Sequence, residues 1–499
     1  MNKPIQKVGL LLCLLVAALV ANVTYIQVFE ASKLRNDPAN KRMQYDEYSR
    51  QRGSITAGSD VIAHSVPSEG NLRFQRSYPG AAAAFAPVTG FFSFNYRSSG
   101  LEQAEDSILN GNDDRLFGQR FMALFTGRDP RGGNVVTTIK SSVQRAAYDA
   151  LKNGRCSGTC RGAVVAIEPG TGKVLALASS PSFDPNKLAS PDIGEQEKAY
   201  NSWSNPPNTA DPMLNRAINQ NYPPGSTFKV VVTAAALRDG IDPEIRLTAA
   251  RSIELPGTET SLTNYGNRSC PGSVGGTVSL AQAFQYSCNT AFVDLAINKM
   301  KLSTATITET AKRFGFDEPS PALPIPVRAD STVGKITNDA QLGQAAIGQF
   351  DVRTSALQNA IVAATVANGG VRMQPYLVDK LQAPDLRTLR TTSPTKVNEP
   401  ITAAQAATLT SLMTDSERHS GGSVTVASKT GTAEHSGGQG GSQVPYAWYI
   451  AFGPSTNARI AVAVVVENGE LGVDSTGATV AAPIGRAVID AALGGGTGR

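Results

Sequence analysis

Two apolar hairpins at opposite ends of one long region most constrain the fold of this chain. The first covers Gly162–Ser180, with a tight turn at Glu168–Gly172, and the second covers Ala447–Gly469. Ala461–Val466 is apolar throughout, which is typical of a buried central strand. A mostly helical block runs between the hairpins, from Ser226 to about Leu412. The pattern predicts an α+β domain in which helices flank one antiparallel sheet assembled from both ends of the region.

Elements next to the hairpins set the limits of this domain. A short strand begins at Asn134 and is followed by a helix with one apolar face. Ala482–Leu493 is predicted to be a closing helix. We therefore expect the domain to span residues 134–495, with 496–499 as a tail.

The N-terminus contains a long apolar run. Val8–Phe29 provides about 22 mostly apolar residues, near the ~20 that cross a bilayer as a helix. Lys3 and Lys7 precede the run, which predicts that residues 1–7 are cytoplasmic and the rest of the chain lies outside. A cleaved signal peptide is the alternative, but the run is long and lacks an A-x-A cleavage pattern. We expect a single-pass protein of the cell membrane.

Residues 30–133 contain no cluster of catalytic residue types. Their pattern is irregular, with turns, short strands and a polar helical stretch at Leu101–Leu109. This composition predicts a small spacer or interaction domain. The net charge of +5 is spread along the chain without a basic stripe, which argues against nucleic-acid binding.

Four of the five cysteines follow the apolar run, as expected of an exported protein with disulfides. They are Cys156, Cys160, Cys270 and Cys288. Of the three possible pairings, the one that closes the two shortest loops joins the first two and the last two. Zinc is the alternative, but there is one tight C-x3-C pair and the histidines show no ligand spacing. We predict neither a metal nor a cofactor.

A hydroxyl and an amine occur three residues apart where a helix enters the core. Ser226 follows Pro223–Gly225, and Lys229 begins an apolar run. This spacing puts both side chains on one helix face, beside free backbone N–H groups that suit an activated serine. The Ser226 N–H could bind an oxyanion, and burial would lower the pKa of Lys229 and make it a general base. The alternative is a helix-capping serine beside a snorkelling lysine.

Both serine-containing motifs occur more than once, so context has to separate the copies. A second Ser-x-x-Lys, Ser393–Lys396, contains a proline and lies in a polar stretch, which predicts a loop. Ser-x-Asn occurs as Ser287–Asn289, but also as Ser93–Asn95 and Ser455–Asn457. Neither motif is specific alone.

Lys-Thr-Gly occurs once, shortly before the second hairpin, as Lys429, Thr430 and Gly431. On an edge strand, Gly431 would let a substrate backbone approach closely. Lys429, together with the hydroxyls of Thr430 and Thr432, could hold a carboxylate. The alternative is an ordinary turn after a strand.

The order Ser-x-x-Lys, Ser-x-Asn, Lys-Thr-Gly is the motif set of penicillin-binding proteins and class A β-lactamases. Along nearly its whole length the chain resembles the class B penicillin-binding proteins of actinobacteria. The segments that carry the resemblance are DEYSRQRGSITAG (Asp46–Gly58), TGRDPRGGNVVTTI (Thr126–Ile139), YPPGSTFKV (Tyr222–Val230), SCNTAF (Ser287–Phe292), SKTGTAEH (Ser428–His435) and AAPIGRAVI (Ala481–Ile489). The resemblance implies a penicillin-binding/β-lactamase-like fold and a monofunctional D,D-transpeptidase that cross-links peptidoglycan and is a target of β-lactams.

The resemblance also implies catalytic roles. Ser226 would attack the carbonyl between the two terminal D-alanines of a stem peptide, and Lys229 would take the serine proton. Ser287 would relay a proton to the departing D-alanine, and Asn289 would position the donor peptide.

Substrate binding falls to the Lys-Thr-Gly strand under the same resemblance. Lys429, Thr430 and Thr432 would bind the terminal carboxylate, with Gly431 beside it. The N–H groups of Ser226 and Thr432 would form the oxyanion hole.

The middle motif departs from many relatives, because Cys288 stands where they carry Asp or Ser. We hypothesise that a Cys270–Cys288 bridge braces this loop and that its reduction loosens the site.

The resemblance further implies partners. No glycosyltransferase domain fits before Asn134, so a separate membrane glycan polymerase is expected, with other division proteins. Residues 30–133 would be the pedestal domain, and septal wall synthesis the process. The alternatives are a β-lactamase or β-lactam sensor, disfavoured by the extra domain and the anchor, and a catalytically silent division scaffold, disfavoured by the intact motifs.

Overall fold

The computed structural model of the protein describes residues 2–30, 45, 47–68, 72–118, 121, 131–204, 210–301, 303–434 and 444–494. Some predicted features lie outside these residues: the tail 496–499, the segment 31–44 of the predicted pedestal domain, Asp46 of the DEYSRQRGSITAG segment, residues 126–130 of the TGRDPRGGNVVTTI segment, and His435 of the SKTGTAEH segment.

Sixteen α-helices lie in the described ranges. They are α1 (Asn2–Tyr25), α2 (Ala82–Thr89), α3 (Gly100–Ala104), α4 (Asp106–Leu109), α5 (Ser141–Lys152), α6 (Pro185–Ala189), α7 (Ile193–Ser204), α8 (Arg216–Asn219), α9 (Lys229–Arg238), α10 (Leu280–Gln285), α11 (Asn289–Asp294), α12 (Ser303–Phe314), α13 (Asp339–Ala345), α14 (Ala356–Ala367), α15 (Ala403–His419) and α16 (Ala482–Leu493). Short 3-10 turns cover Asp114–Leu116, Gly225–Phe228, Tyr265–Asn267 and Gly472–Asp474, and π-helical turns cover Ile26–Glu30, Leu295–Lys299 and Gly477–Ala481.

The described strands number nineteen. They are β1 (Ile55–Ala57), β2 (Asp60–Pro67), β3 (Phe74–Ser77), β4 (Phe92–Ser93), β5 (Arg97–Ser98), β6 (Asn134–Thr137), β7 (Gly162–Ile167), β8 (Val174–Ser180), β9 (Arg246–Thr248), β10 (Ser252–Glu254), β11 (Ser261–Thr263), β12 (Thr277–Ser279), β13 (Arg372–Met373), β14 (Val378–Gln382), β15 (Thr388–Thr391), β16 (Lys396–Asn398), β17 (Ala427–Ala433), β18 (Tyr446–Gly453) and β19 (Ile460–Val466).

The first helix has the dimensions of a membrane span. Pro4–Glu30 forms 27 helical residues, and its most apolar 18 residues have a mean hydropathy of 2.3 and are not buried against the rest of the described protein. Such a helix exceeds the ~20 residues that a bilayer requires. It contains the predicted run Val8–Phe29 and fits a membrane anchor.

A five-stranded sheet is the centre of the larger unit. Its order is β17–β18–β19–β7–β8, and every neighbouring pair is antiparallel. The first predicted hairpin supplies β7 and β8, and the second supplies β18 and β19. The prediction of one sheet assembled from both ends of the region is therefore confirmed. β17 has one neighbour in this sheet and is its edge strand.

The side chains of each strand alternate between the two faces of the sheet. Helices pack on both faces and bury both sets of side chains. On β19, Ala461 and Ala463 pack in the cluster that contains the apolar helix α14. Val462 and Val464, from the same strand, pack with α5 and α16 on the opposite face. All seven residues of β19 are consequently buried, as the apolar run predicted.

A second, six-stranded sheet joins the N-terminal part of the chain to a later segment. Its order is β15–β14–β6–β1–β2–β3. β1 pairs in parallel with β6, whereas β14 pairs antiparallel with β6 and with β15. The strand at Asn134, predicted as the start of the larger domain, therefore lies inside this sheet. β14 and β15, from within the larger region, complete it.

The N-terminal unit contains a buried ion cluster. Arg52 Nε lies 2.7 Å from Glu102 Oε2, and Arg76 Nε lies 2.6 Å from Glu102 Oε1. Burial alone raises the pKa of Glu102, but the two guanidinium groups outweigh burial and hold this pKa below its usual value. The carboxylate stays charged and ties α3 to β3 and to the segment before β1.

Candidate active site

Ser226 lies in the 3-10 turn that leads directly into α9. Gly225 begins this turn with φ +52°, a conformation that favours glycine. A Cβ atom there would lie 2.8 Å from the Thr432 carbonyl oxygen. The turn is therefore packed tightly against β17, and this contact brings the first and third motifs together.

The Ser226 side chain does not cap the helix. Neither the 3-10 turn nor α9 has a side-chain cap. Thr227 Oγ1 instead donates to the Pro224 carbonyl at 2.9 Å. Among the described residues, Ser226 Oγ has no hydrogen-bond partner. The interpretation of Ser226 as a helix cap is therefore wrong, and its hydroxyl is not held by another group of the described protein.

Lys229 is completely buried, so the prediction of a snorkelling side chain is also wrong. Its Nζ lies 2.8 Å from the Ser287 carbonyl oxygen, 2.8 Å from Asn289 Oδ1 and 3.3 Å from Ser287 Oγ. Burial, and then the charge of Lys429, lower the pKa of Lys229 well below its usual value. A neutral amine at this position can accept a proton.

Ser287 lies in the loop between α10 and α11, and Asn289 is the first residue of α11. Ser287 adopts φ +59°, a left-handed conformation that is uncommon for a residue with a side chain. Asn289 Nδ2 donates to the Thr263 carbonyl at 2.9 Å. The middle motif is thus tied both to Lys229 and to β11.

Lys429 approaches the same hydroxyl from β17. Its Nζ donates to Ser287 Oγ at 2.9 Å and to the Thr430 carbonyl at 3.1 Å. Lys429 is 0% exposed, and burial lowers its pKa to about 7. Ser287 Oγ therefore links the amines of the first and third motifs.

Gly431 lies where two parts of the protein approach each other closely. A Cβ atom there would lie 2.9 Å from the Pro224 carbonyl oxygen and 3.0 Å from Thr227 Cγ2. The missing side chain lets β17 pack against the 3-10 turn that contains Ser226. The role of Gly431 in admitting a substrate backbone stays a prediction.

The backbone of Thr432 faces the 3-10 turn that contains Ser226. In an antiparallel edge strand the N–H and C=O groups of one residue point to the same side. Since the Thr432 carbonyl approaches Gly225, its N–H lies on that same side of β17, and its place in an oxyanion hole stays a prediction. The hydroxyl of Thr432 lies near Gly477, whose N–H donates to it at 3.4 Å. Thr430 Oγ1 stays a predicted carboxylate ligand.

The cysteines pair as the sequence favoured, Cys156 with Cys160 and Cys270 with Cys288. The second disulfide closes immediately beside Ser287. Among the described residues, no group of three or more His, Cys, Asp or Glu side chains could hold a metal ion.

The other motif copies lie elsewhere. Ser393 is exposed in the loop between β15 and β16, as predicted, and Lys396 pairs with Glu399. Ser93 Oγ donates to Gln196 Oε1 at 2.8 Å. Ser455 is half-buried after β18.

Several supporting residues were missed by the sequence analysis. Glu467 accepts a hydrogen bond from Tyr222 at 2.8 Å, and the Trp448 indole donates to the Pro223 carbonyl at 3.0 Å. Asn359 Nδ2 donates to Thr227 Oγ1 at 3.2 Å. A polar residue inside the apolar sequence of α14 is the one signal that could have identified Asn359.

Comparisons with known proteins agree with this geometry. A family model described as "Penicillin binding protein transpeptidase domain" matches residues 162–490, and one described as "Penicillin binding protein A dimerisation domain" matches residues 52–135. The chain belongs to the class B penicillin-binding proteins, which are serine D,D-transpeptidases.

Relatives within this family are similar over the full length. The peptidoglycan D,D-transpeptidase PbpA of Mycolicibacterium smegmatis is 51% identical over 498 residues, covering 99% of each chain. PbpA of Mycobacterium tuberculosis is 50% identical, covering 99% of this chain and 100% of that protein. The solved penicillin G acyl-enzyme complex of penicillin-binding protein A from M. tuberculosis has a TM-score of 0.84 at 51% identity. It covers 89% of this chain and 100% of that one.

Proposed function

We propose that this chain is a peptidoglycan D,D-transpeptidase whose nucleophile is Ser226. The observation that carries the proposal is the hydrogen-bonded set of Lys229 Nζ, Ser287 Oγ and Lys429 Nζ beside the 3-10 turn that contains Ser226. The solved acyl-enzyme complex of a similar protein supports a serine ester as the intermediate.

Acylation begins when Ser226 Oγ attacks the carbonyl carbon between the two terminal D-alanines. Its proton passes to Lys229 Nζ, whose pKa burial lowers, which favours the neutral amine that can accept it. The N–H groups of Ser226 and Thr432 bind the oxyanion. As the C–N bond breaks, Ser287 donates a proton to the leaving amine and regains one from Lys229. D-Alanine departs and an ester remains on Ser226.

Transfer follows when an amine of a neighbouring stem peptide attacks the ester. The new amide forms, and the proton of the attacking amine returns through the same groups to Ser226 Oγ. Lys429 and Thr430 hold the terminal carboxylate of the donor peptide, or that of a β-lactam, while Asn289 orients its backbone.

The rest of the chain anchors and supports this domain. The apolar helix lies in the membrane with Lys3 and Lys7 on the cytoplasmic side, and the catalytic domain is extracytoplasmic. Residues 30–133, as a pedestal domain, raise residues 134–495 from the membrane and contact a glycan polymerase and other division proteins. Septal wall synthesis is the process that we propose.

The test is labelling by a fluorescent penicillin. The full chain in detergent, Ser226→Ala and Ser393→Ala are incubated with the label and then chased for hours. A stable label that is lost only in Ser226→Ala is expected, since Ser393 is exposed and remote from both buried lysines. Label that forms and disappears within minutes would indicate a β-lactamase, and the absence of label in the wild type would indicate a silent scaffold.

A further inference from the structure

Four polar side chains meet on the face of β17 opposite Ser226. Glu417, near the end of α15, is 0% exposed. It accepts hydrogen bonds from Ser428 Oγ on β17, from Tyr449 OH on β18 at 3.0 Å, and from Arg486 Nε on α16 at 2.7 Å. One buried carboxylate thus joins four elements of the catalytic unit.

This carboxylate is fully satisfied. Arg486 binds Oε1, while Ser428 and Tyr449 both donate to Oε2. Arg486 also donates from Nη2 to the Ser420 carbonyl at 2.9 Å. Burial, and the charge of Glu417, raise the pKa of Tyr449 well above its usual value, so the phenol stays a donor. A buried charge with a complete set of partners holds those partners in one geometry.

The cluster lies next to the active site along the chain. Ser428 immediately precedes Lys429, and alternation along β17 directs the two side chains to opposite faces. β17 is an edge strand, paired with β18 alone in this sheet. The bond from Ser428 to Glu417 therefore restrains an edge that no second strand restrains.

We propose that Glu417 is a positioning residue for Lys429. By accepting the hydrogen bond from Ser428, Glu417 fixes the position of β17 so that Lys429 Nζ lies 2.9 Å from Ser287 Oγ. The inference rests on the proposed function, because it assigns Glu417 to the site where Lys429 acts. A misplacement of Lys429 by about 1 Å is enough to cost up to 100-fold in rate.

The experiment compares two substitutions that each remove one hydrogen bond to Glu417 Oε2. Ser428→Ala and Tyr449→Phe each remove one hydroxyl that donates to Glu417 Oε2, but only Ser428 precedes Lys429. The second-order rate constant for acylation by a fluorescent penicillin is measured on the full chain, together with the melting temperature. We expect similar decreases in melting temperature, a fall in acylation of about 10-fold or more for Ser428→Ala, and a rate within about twofold of wild type for Tyr449→Phe.

Glu417→Gln provides the second test. It should slow acylation, and combining it with Ser428→Ala should slow it little further, because both changes remove one interaction. Wild-type rates in Ser428→Ala, or equal slowing in Tyr449→Phe, would overturn the inference and leave the cluster a purely structural one. Failure of the wild-type protein to become acylated would instead refute the proposed function.

Discussion

At the scale of single residues, two buried lysines meet at one hydroxyl and differ in their surroundings. Lys229 is enclosed and also faces the charge of Lys429, so its pKa falls well below the usual value. Lys429 is lowered by burial alone, to about 7. An amine whose pKa is lowered furthest in the direction of a general base therefore lies beside Lys429, which is still partly charged at pH 7 and can meet a carboxylate.

The buried state of Lys429 predicts a pH-dependent stability. The folded pKa is about 7 and the reference value is 10.5. Between these values the unfolded chain binds a proton at Lys429 that the folded chain does not, so Lys429 adds about 1.4 kcal/mol per pH unit to the rise in the free energy of unfolding. Lys429→Met lacks this contribution, so its free energy of unfolding should rise less steeply with pH, and it should be more stable than wild type at pH 7. Urea unfolding at pH 7, 8 and 9 measures the difference.

Lys396→Met is the control for this prediction, because Lys396 is an exposed lysine whose substitution should leave the slope unchanged. Parallel stability curves for wild type and Lys429→Met would show that Lys429 is charged in the folded protein.

The meeting of Lys229, Ser287 and Lys429 could be predicted because three short motifs occur in a fixed order. Glu417 could not, because nothing in the sequence links residue 417 to 428 or to 486 before the sheet forms. The left-handed backbone conformation of Ser287 could not be predicted either, since serine has no preference for that conformation.

At the scale of elements, the loop between α10 and α11 depends on its disulfide. Ser287 in the left-handed region costs about 1 kcal/mol or more. The Cys270–Cys288 bond and the contact from Lys229 to the Ser287 carbonyl restrain it from two sides. Without the bridge, the loop can relax and move Ser287 Oγ away from both amines.

We therefore predict that Cys270→Ala/Cys288→Ala lowers the free energy of unfolding by about 3 kcal/mol and also slows acylation. Cys156→Ala/Cys160→Ala is the matched control. It should cost about 2 kcal/mol, because the loop is shorter, and leave the acylation rate unchanged, because that bridge lies outside the site. Denaturant titration and penicillin labelling give the two values. Equal acylation rates in the two double variants would contradict the bracing role.

Elements with strong apolar patterns were predicted correctly, and weakly patterned ones were not. The two central hairpins, α5 and α16 follow from their runs of buried residues. β15 (Thr388–Thr391) is polar and mostly exposed, and no local pattern indicates that it extends a sheet begun by β1. Long-range pairing of short polar strands depends on tertiary context rather than on propensity.

At the scale of the whole molecule, the shared six-stranded sheet makes the two units interdependent. A chain that begins at residue 139 lacks β1, β2, β3 and β6, which leaves β14 without its partner β6. We predict that this fragment fails to give soluble protein that reacts with penicillin. A chain that begins at residue 45 keeps the whole sheet and should react like the full-length protein. Solubility and labelling after expression decide between these outcomes, and a fully active fragment 139–499 would show that the catalytic unit folds independently.

The same sheet imposes an order on synthesis. β1, β2, β3 and β6 emerge long before β14 and β15, so the N-terminal unit cannot complete its sheet while the intervening helices and strands are still being made. Until then the edge of β6 stays open, and an open strand edge invites pairing with the wrong chain. The nascent protein can therefore pair wrongly at β6 until β14, from within the catalytic unit, has been made and pairs with that strand.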